Sequence, residues 1–419
     1  MQKSVSHHIR SKDEVIRILS VSPTVQAISE IAARRNLAVF LCGGALRDLF
    51  LGRSPGNDWD FLVQGGTPES VAKLAMEYKE ITASGSFPGS SPLEALDLLA
   101  TSDALSHVRQ FDLSIHTLLY DCLNPQIFDM ENGIEDLRNG RLRIPHRSFL
   151  VTNASSFLRP FLFAQELGFQ IEPEALEAVR EFRHMVHATD SRGRAKVFSV
   201  FMQYLAQESI FPSFELMNGT GLVAACFPML IPLQHSRSNS KAGSAWEENL
   251  AALKSLENLL QRLPQAIRAA FSDVVCDRRV VQKLKMESRF SLLSDVRFAA
   301  LVFNLHFADL IISDNLPDFA RTPEYRAHAM KAALHVFSQT VSMNTCMLER
   351  ITEVARTLAL AEHCLAEYEA GRFAGFAQRF SAAEPLHRKA VLLAAARLES
   401  ERSTGADVLL DYLQSPQSV

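Results

Sequence analysis

Leu41-Cys42-Gly43-Gly44-Ala45-Leu46-Arg47-Asp48-Leu49-Phe50-Leu51-Gly52-Arg53, followed by Asp58-Trp59-Asp60-Phe61, decides how the rest of this 419-residue chain is read. Leu37–Cys42 is a β-rich run that stops at the diglycine. Ala45–Leu51 then predicts a short helix, Gly52–Asn57 a turn and Trp59–Val63 a second strand. Residues two apart on a strand share a face, so Asp58 and Asp60 are expected to project together while Trp59 and Phe61 enter a core. Two close carboxylates with no Lys or Arg between them repel, and a divalent cation relieves the repulsion. Hard oxygen donors suit Mg²⁺, which one or two carboxylates usually hold together with substrate phosphates. A diglycine between strand and helix lets backbone N–H groups approach a polyphosphate at the favourable end of the helix dipole. Arg47, one turn on, can add a forked cation, and Asp48 can anchor the helix start or Arg47 itself. Taken singly, an acid pair is commonly a surface feature and Gly-Gly a tight turn.

Outward from this stretch, the chain divides near residue 145. Before it, Pro68–Tyr78 reads as an amphipathic helix, Ala95–Leu99 and Leu113–Tyr120 as strands, and Ser84–Pro92 as a loop rich in Gly, Ser and Pro. After it, apolar residues recur at helical spacing in Ser155–Leu167, Pro173–Arg183, Arg194–Gln207, Glu247–Arg262, Leu292–Leu310, Thr322–Gln339 and Leu348–Gly371. Ser236–Ser244 reads as a loop. The expected fold class is α+β: a small mixed α/β head followed by an all-α neck, body and tail. The expected bounds are an N-terminal extension at 1–30, head 31–145, neck 146–215, body 216–310 and tail 311–419.

Composition narrows the setting. The hydrophobic share of 47% and charged share of 21% are those of an ordinary self-folding protein. The apolar run Val223–Leu233 is broken by Pro and too short for a membrane span, and Met1–Lys12 carries no secretory signal. The six cysteines never form a C-x-x-C pair, so free thiols and a cytoplasmic location are expected, with no membrane partner.

The diglycine stretch and Asp58-Trp59-Asp60-Phe61 together closely resemble the signature of the tRNA nucleotidyltransferase and poly(A) polymerase family, which includes the CCA-adding enzymes. The resemblance implies that Asp58 and Asp60 bind the catalytic metals, with Mg²⁺ as cofactor. It implies that Gly43, Gly44 and Arg47 hold the nucleoside triphosphate (ATP, and CTP in CCA-adding members), and that RNA, tRNA above all, is the acceptor. Asp112-Leu113-Ser114-Ile115-His116-Thr117-Leu118-Leu119-Tyr120-Asp121 resembles the family segment Arg-Arg-Asp-Phe-Thr-Ile-Asn-Ala-Leu, which contacts ribose and phosphates. Asp112 matches it, Phe111 replaces an arginine, and His116 stands where an asparagine is expected. Phe128-Asp129 to Arg143, with Gly133-Ile134-Glu135-Asp136-Leu137, resembles the hinge between head and neck; read without the family, it is a polar turn capped by Asp.

Thr152-Asn153-Ala154-Ser155-Ser156-Phe157-Leu158-Arg159 aligns with the neck helix whose Glu-Asp-Pro-Leu-Arg selects the incoming base. The selecting Asp and Arg are replaced by Asn153 and Ser156, neutral groups without the forked cation, and Arg159 lies one turn on. Leu96-Asp97-Leu98 corresponds to a strand that bears a third acid in the wider superfamily, or is an ordinary strand with an exposed acid. Glu248, Phe303 and Asn304 stand where some relatives carry a His-Asp metal site, and Phe303 is no ligand, so no second, phosphohydrolase activity is expected. With a net charge of −4, an RNA surface must be a local patch. Arg278, Arg279, Lys283, Lys285 and Arg289 supply one candidate, or a charged solvent face. The expected activity is template-independent, Mg²⁺-dependent nucleotidyl transfer to an RNA 3′-hydroxyl with release of pyrophosphate. Its rivals are a poly(A) polymerase and a non-catalytic RNA-binding relative.

Overall fold

Short alternating runs and glycine turns in the first third produce one mixed sheet, and helical spacing in the rest produces packed helices. A computed structural model describes residues 8–55, 58–83, 95–148, 150, 153–236, 243–265, 292–304, 334, 345–373, 385–401 and 405–414. Two compact units emerge: Met1–Thr152 with Glu166–Glu181, and Asn153–Gln165 with Phe182–Val419. The α+β class is as expected. No single helix among the described residues is long and apolar enough to cross a membrane.

The first unit is built on a five-stranded sheet. Its strands are β1 (Ala38–Cys42), β2 (Asp58–Gln64), β3 (Ala95–Thr101), β4 (Leu118–Asp121) and β5 (Gln126–Asp129), in the order β3-β2-β1-β4-β5. β1 runs antiparallel to β2 and β4, whereas β2 and β3 are parallel. Helices α1 (Lys12–Ser20) and α2 (Pro23–Arg34) precede the sheet. α1 starts on a capping box in which Ser11 and Glu14 satisfy each other's backbone N–H. α2 packs on β1, and α4 (Pro68–Ala83) packs on β3, burying Val71, Leu74 and Tyr78. The short helix α3 (Gly44–Phe50) leaves β1 at the diglycine, and Arg10 takes up the Leu49 carbonyl near its far end at 3.1 Å. The helix α5 (Ala104–Val108) closes a small cluster of Cys42, Leu62, Ala104, Val108 and Leu119 on one face of the sheet.

Leu113–Tyr120, expected as one strand, is shorter. Ser114–His116 forms a single 3₁₀ turn, and the strand begins only at Leu118. The reason is hydrogen bonding by two hydroxyls, one within the turn and one to a residue far along the chain. Thr117 Oγ1 donates to the Ser114 carbonyl at 2.7 Å and Ser114 Oγ to Asp136 Oδ2 at 2.5 Å, which draws the backbone out of the ladder.

The second unit is helical throughout its described residues. Ser191–Leu205 and Ala245–Arg262 fall close to the predicted spans, and Thr345–Glu369 covers the predicted Leu348–Gly371 almost entirely. Of the predicted Leu292–Leu310, Leu292–Val302 is helix, residues 303–304 turn, and 305–310 lie outside the described residues. Phe198, Phe201, Phe227 and Phe298 form an aromatic core, with Phe201 and Phe227 ring centres 4.6 Å apart. The expected helix Thr322–Gln339 (Leu334 apart) and the basic group Arg278, Arg279, Lys283, Lys285 and Arg289 lie outside the described residues.

Candidate functional site

The β1–β2 register pairs Cys42 with Asp60, so the residue after Cys42 turns away beside the Asp60 side chain. That residue is Gly43, at φ +75°, where an L side chain is strained. A Cβ built there would stand 2.8 Å from Asp60 Oδ2. Both the backbone angle and the missing side chain are therefore needed for the Asp60 carboxylate to sit against the diglycine turn. Gly44 is less constrained: a Cβ there would meet only Arg47 Nη2, at 3.7 Å. α3 has seven residues, so its dipole is small; at the turn that starts it Gly43 is buried and Gly44 half-buried.

The alternation expected of β2 holds where it is described. Trp59 and Phe61 are buried, with their rings stacked at 6.3 Å, and Asp60 on the other face is half-buried. Asp58 opens the strand with its backbone paired to Ala95; its side chain lies outside the described part of the structure. Asp97, read from sequence as a short match, pairs in register with Asp60 across β2 and β3, which places the two acids on one face. Burial pushes the Cys42 thiol up, and the charges of Asp60 and Asp97 add to it, so both carboxylates act on one buried neighbour. Among the described residues, no three His, Cys, Asp or Glu side chains gather as a metal cluster. Asp60 and Asp97 are the carboxylates in register on β2 and β3.

Arg47 is buried beside this turn. Its Nε and Nη2 donate to the two oxygens of Asp48 at 2.8 and 3.0 Å, Glu166 lies 3.9 Å from Nη2, and Nη1 lies 3.1 Å from His116 Nε2. His116 Nδ1 in turn lies 3.3 Å from Asp112 Oδ1, which also accepts from the Leu113 N–H at 3.0 Å. Asp48 thus anchors Arg47, one of the two roles open to it from sequence. The segment Phe128–Arg143 packs against the turn that carries His116. Asp129 caps α6 (Gly133–Asn139) by accepting from the N–H groups of Gly133 and Ile134, at 2.7 and 3.1 Å. A Cβ on Gly133 would lie 2.3 Å from the Ser114 carbonyl oxygen, so only glycine lets α6 approach the turn that carries His116. Asp136 then joins Ser114 to Arg143, whose Nε donates to it at 2.8 Å. The segment acts as the Asp-capped turn of the plainer sequence reading.

No family model matches the sequence. Solved structures similar to the chain include a CCA-adding enzyme in complex with CTP, at 14% identity and a TM-score of 0.58, covering 97% of this chain and 85% of the other. The Thermotoga maritima CCA-adding enzyme complexed with tRNA is similar at 15% identity and a TM-score of 0.58, with the same coverage. A tRNA-processing enzyme with CTP follows at 14% and 0.57, covering 93% of this chain and 91% of the other. The fold is that of the CCA-adding enzymes.

Within this CCA-adding fold, the remaining candidates belong to the second unit. Asn153 begins a 3₁₀ turn (Ala154–Phe157), and its Oδ1 accepts from Ser155 Oγ at 2.8 Å. Ser156 is fully buried, and its Oγ has no hydrogen-bond partner among the described residues. Arg159 lays its guanidinium over the Phe163 ring at 5.3 Å. At the positions aligned with the His-Asp site, Glu248 Oε2 accepts from Asn304 Nδ2 at 2.8 Å and faces Arg397 at 3.5 Å. Arg397 itself stacks on Phe303 at 4.6 Å. A guanidinium therefore supplies the positive charge beside Glu248.

Proposed function

We propose that the chain is a template-independent RNA 3′-end nucleotidyltransferase that uses ATP or CTP, acts on tRNA or another structured RNA end, and belongs to the tRNA nucleotidyltransferase and poly(A) polymerase family. One observation carries the reading: the Asp60 carboxylate fills the space that a side chain at Gly43 would take. An acid and an amide-lined turn are thereby within reach of a single triphosphate. Nearly full-length similarity to solved CCA-adding enzymes supports it.

The donor chemistry fits Mg²⁺. Asp58 and Asp60 would hold it, with Asp97 as the adjacent acid, and hard carboxylate oxygens next to a phosphate site are the ligands this ion takes. When bound, Mg²⁺ supplies charge neutralisation and lowers the pKa of the attacking hydroxyl. The protein's own part is mainly positional. In this reading the N–H groups of Gly43 and Gly44 meet the phosphates, and Arg47, oriented by Asp48 and His116, adds its guanidinium. In-line attack by the RNA 3′-oxygen forms the new P–O bond as the bond to pyrophosphate breaks. The catalytic gain comes from alignment and electrostatics.

A second reading, poly(A) polymerase with relaxed acceptor choice, is favoured by the burial of Ser156. That position offers an incoming base neither a charge nor an exposed hydrogen-bonding group. Incubation of the full chain with Mg²⁺, labelled CTP or ATP, and tRNA stripped of its terminal CCA separates the two. Addition of C and A to tRNA supports CCA synthesis, and long A tracts on unstructured RNA support the second reading. Failure of the wild type to incorporate either nucleotide into any RNA would point to the non-catalytic relative and overturn the proposal.

A further inference from the structure

We infer that His116 works as a neutral hydrogen-bond acceptor that fixes Arg47 beside the diglycine turn. Its part in nucleotide binding is then positional, passing through Arg47 without contact to the nucleotide. The functional half of this inference rests on the nucleotidyl transfer proposed above; the hydrogen-bonding half does not.

The assignment follows from which atoms can donate. Arginine has five N–H donors and no acceptor. With Arg47 Nη1 at 3.1 Å from His116 Nε2, the bond exists only if Nε2 carries the lone pair. The ring proton must then sit on Nδ1, which faces the Asp112 carboxylate at 3.3 Å, an acceptor suited to it. An imidazolium would instead set an N–H against the guanidinium N–H groups, two donors with no acceptor between them, in a site where all three side chains are at least nine-tenths buried. Asp112 therefore selects the tautomer and His116 passes that choice to Arg47, as a carboxylate orients a histidine in other settings.

The guanidinium is held from two sides. Asp48 takes its Nε–Nη2 edge, and His116 takes Nη1. Held so, Nη2 lies next to Gly44, where an added Cβ would be 3.7 Å away. An asparagine at 116 carries the same donor and acceptor types, an amide to donate to Asp112 and an oxygen to accept from Arg47, on a shorter side chain toward which Arg47 has to move. The departure from the family's asparagine then preserves a donor–acceptor pair and leaves Arg47 positioned. A hydrophobic residue would leave Arg47 and Asp112 buried opposite one another without their mediator.

The test is a set of full-length variants: His116→Leu, His116→Asn, Arg47→Ala, and Arg47→Ala combined with His116→Leu. Each is assayed for KM and kcat with the preferred nucleotide, and checked by thermal melting. His116→Leu is expected to raise KM for the nucleotide about tenfold or more with a much smaller change in kcat, the cost of a hydrogen bond to a charged group. His116→Asn is expected to recover most of that loss. Adding His116→Leu to Arg47→Ala is expected to cost little beyond Arg47→Ala alone, because the mediator has nothing left to hold. Additive losses would mean that His116 meets the nucleotide directly. Equal failure of the Asn and Leu variants, or wild-type behaviour of His116→Leu, would also overturn the inference. Should the wild type incorporate no nucleotide, the enzymatic reading fails separately. The ¹⁵N signals of His116, assigned by their loss in His116→Asn, then decide the hydrogen-bonding claim: a protonated Nδ1 with an unprotonated Nε2 upholds it, and the reverse tautomer or an imidazolium refutes it.

Discussion

Beside Gly43 two acids of the first unit share one face of the sheet: Asp60 is half-buried, Asp97 exposed, and the neighbouring position has no side chain. The charges inside the second unit are arranged otherwise. Arg297 and Glu257 meet at 2.6 Å, both buried, and Arg297 also donates to the Leu205 carbonyl at 2.7 Å. Lys389 and Asp295 pair at 3.5 Å with essentially no exposure. These groups spend their charge on one another. The acids Asp60 and Asp97 are thus gathered with like sign, whereas the buried charges of the second unit are matched by opposite ones, as Arg47 is by Asp48 in the first.

The comparison breaks most readily at Asp60. Replacement by Asn keeps the shape and removes the charge, and is expected to lower nucleotide incorporation roughly a thousandfold with the melting temperature nearly unchanged. A variant as active as the wild type would make the acid incidental. Arg297→Ala should show the opposite signature, a loss of about 3–5 kcal/mol in stability from the stranded Glu257, read by denaturant titration. The paired change Glu257→Leu with Arg297→Met should restore most of it, since the pair serves packing and not ligand binding. Retained stability in Arg297→Ala alone would refute that assignment.

Gly43→Ala and Gly44→Ala make a finer test. The first forces a methyl into the Asp60 carboxylate at a backbone angle costing about 1–3 kcal/mol, so activity should fall roughly a hundredfold. The second meets only an ordinary contact and should stay within about threefold. Similar values for both would mean that the turn is not the close-fitting cradle described. Acidity offers a weaker probe. Burial pushes the Glu257 carboxyl above its ordinary range, against the pull of Arg297. The native state then holds this proton more readily than the unfolded chain. The contribution of Glu257 to stability falls as pH rises from the unfolded carboxylate range through the native value. In Glu257→Gln that portion of the pH–stability curve should flatten; an unchanged slope would assign it to other groups. The smallest effect is expected at Cys42, whose buried thiol, pushed up by burial, should resist iodoacetamide at neutral pH until the protein unfolds. Rapid native alkylation would show that this face of the sheet opens easily.

Legibility from sequence followed the distance over which each feature is determined. The strand–diglycine–helix run and the alternation of Trp59 and Phe61 against Asp60 are local, and the residues spell them out. The 3₁₀ turn at Ser114–His116 was hidden because its hydroxyl bonds reach Asp136, 22 residues on. The pairing of Asp97 with Asp60 depends on strand register, and the Arg47–His116 contact joins residues 69 apart; neither is written in any short window. The N-terminal helices lie outside the family signature, and Ser11 and Glu14 at capping-box spacing are the local signal for the first of them. Asn153, Ser156 and Arg159 were placed by alignment to a pattern they no longer match. Side-chain burial, which alone separates Ser156 from an exposed base reader, is a property of packing.

The acid-bearing strand β2 is an interior member of the sheet, laddered to β1 on one side and β3 on the other. Fraying at the outer strands need not carry it along, so its amides should be among the slowest of the first unit to exchange with deuterium. Heat inactivation would then coincide with cooperative melting of that unit, and a partly loosened molecule would keep Asp60 in place even where the edge strand that carries Asp97 frays.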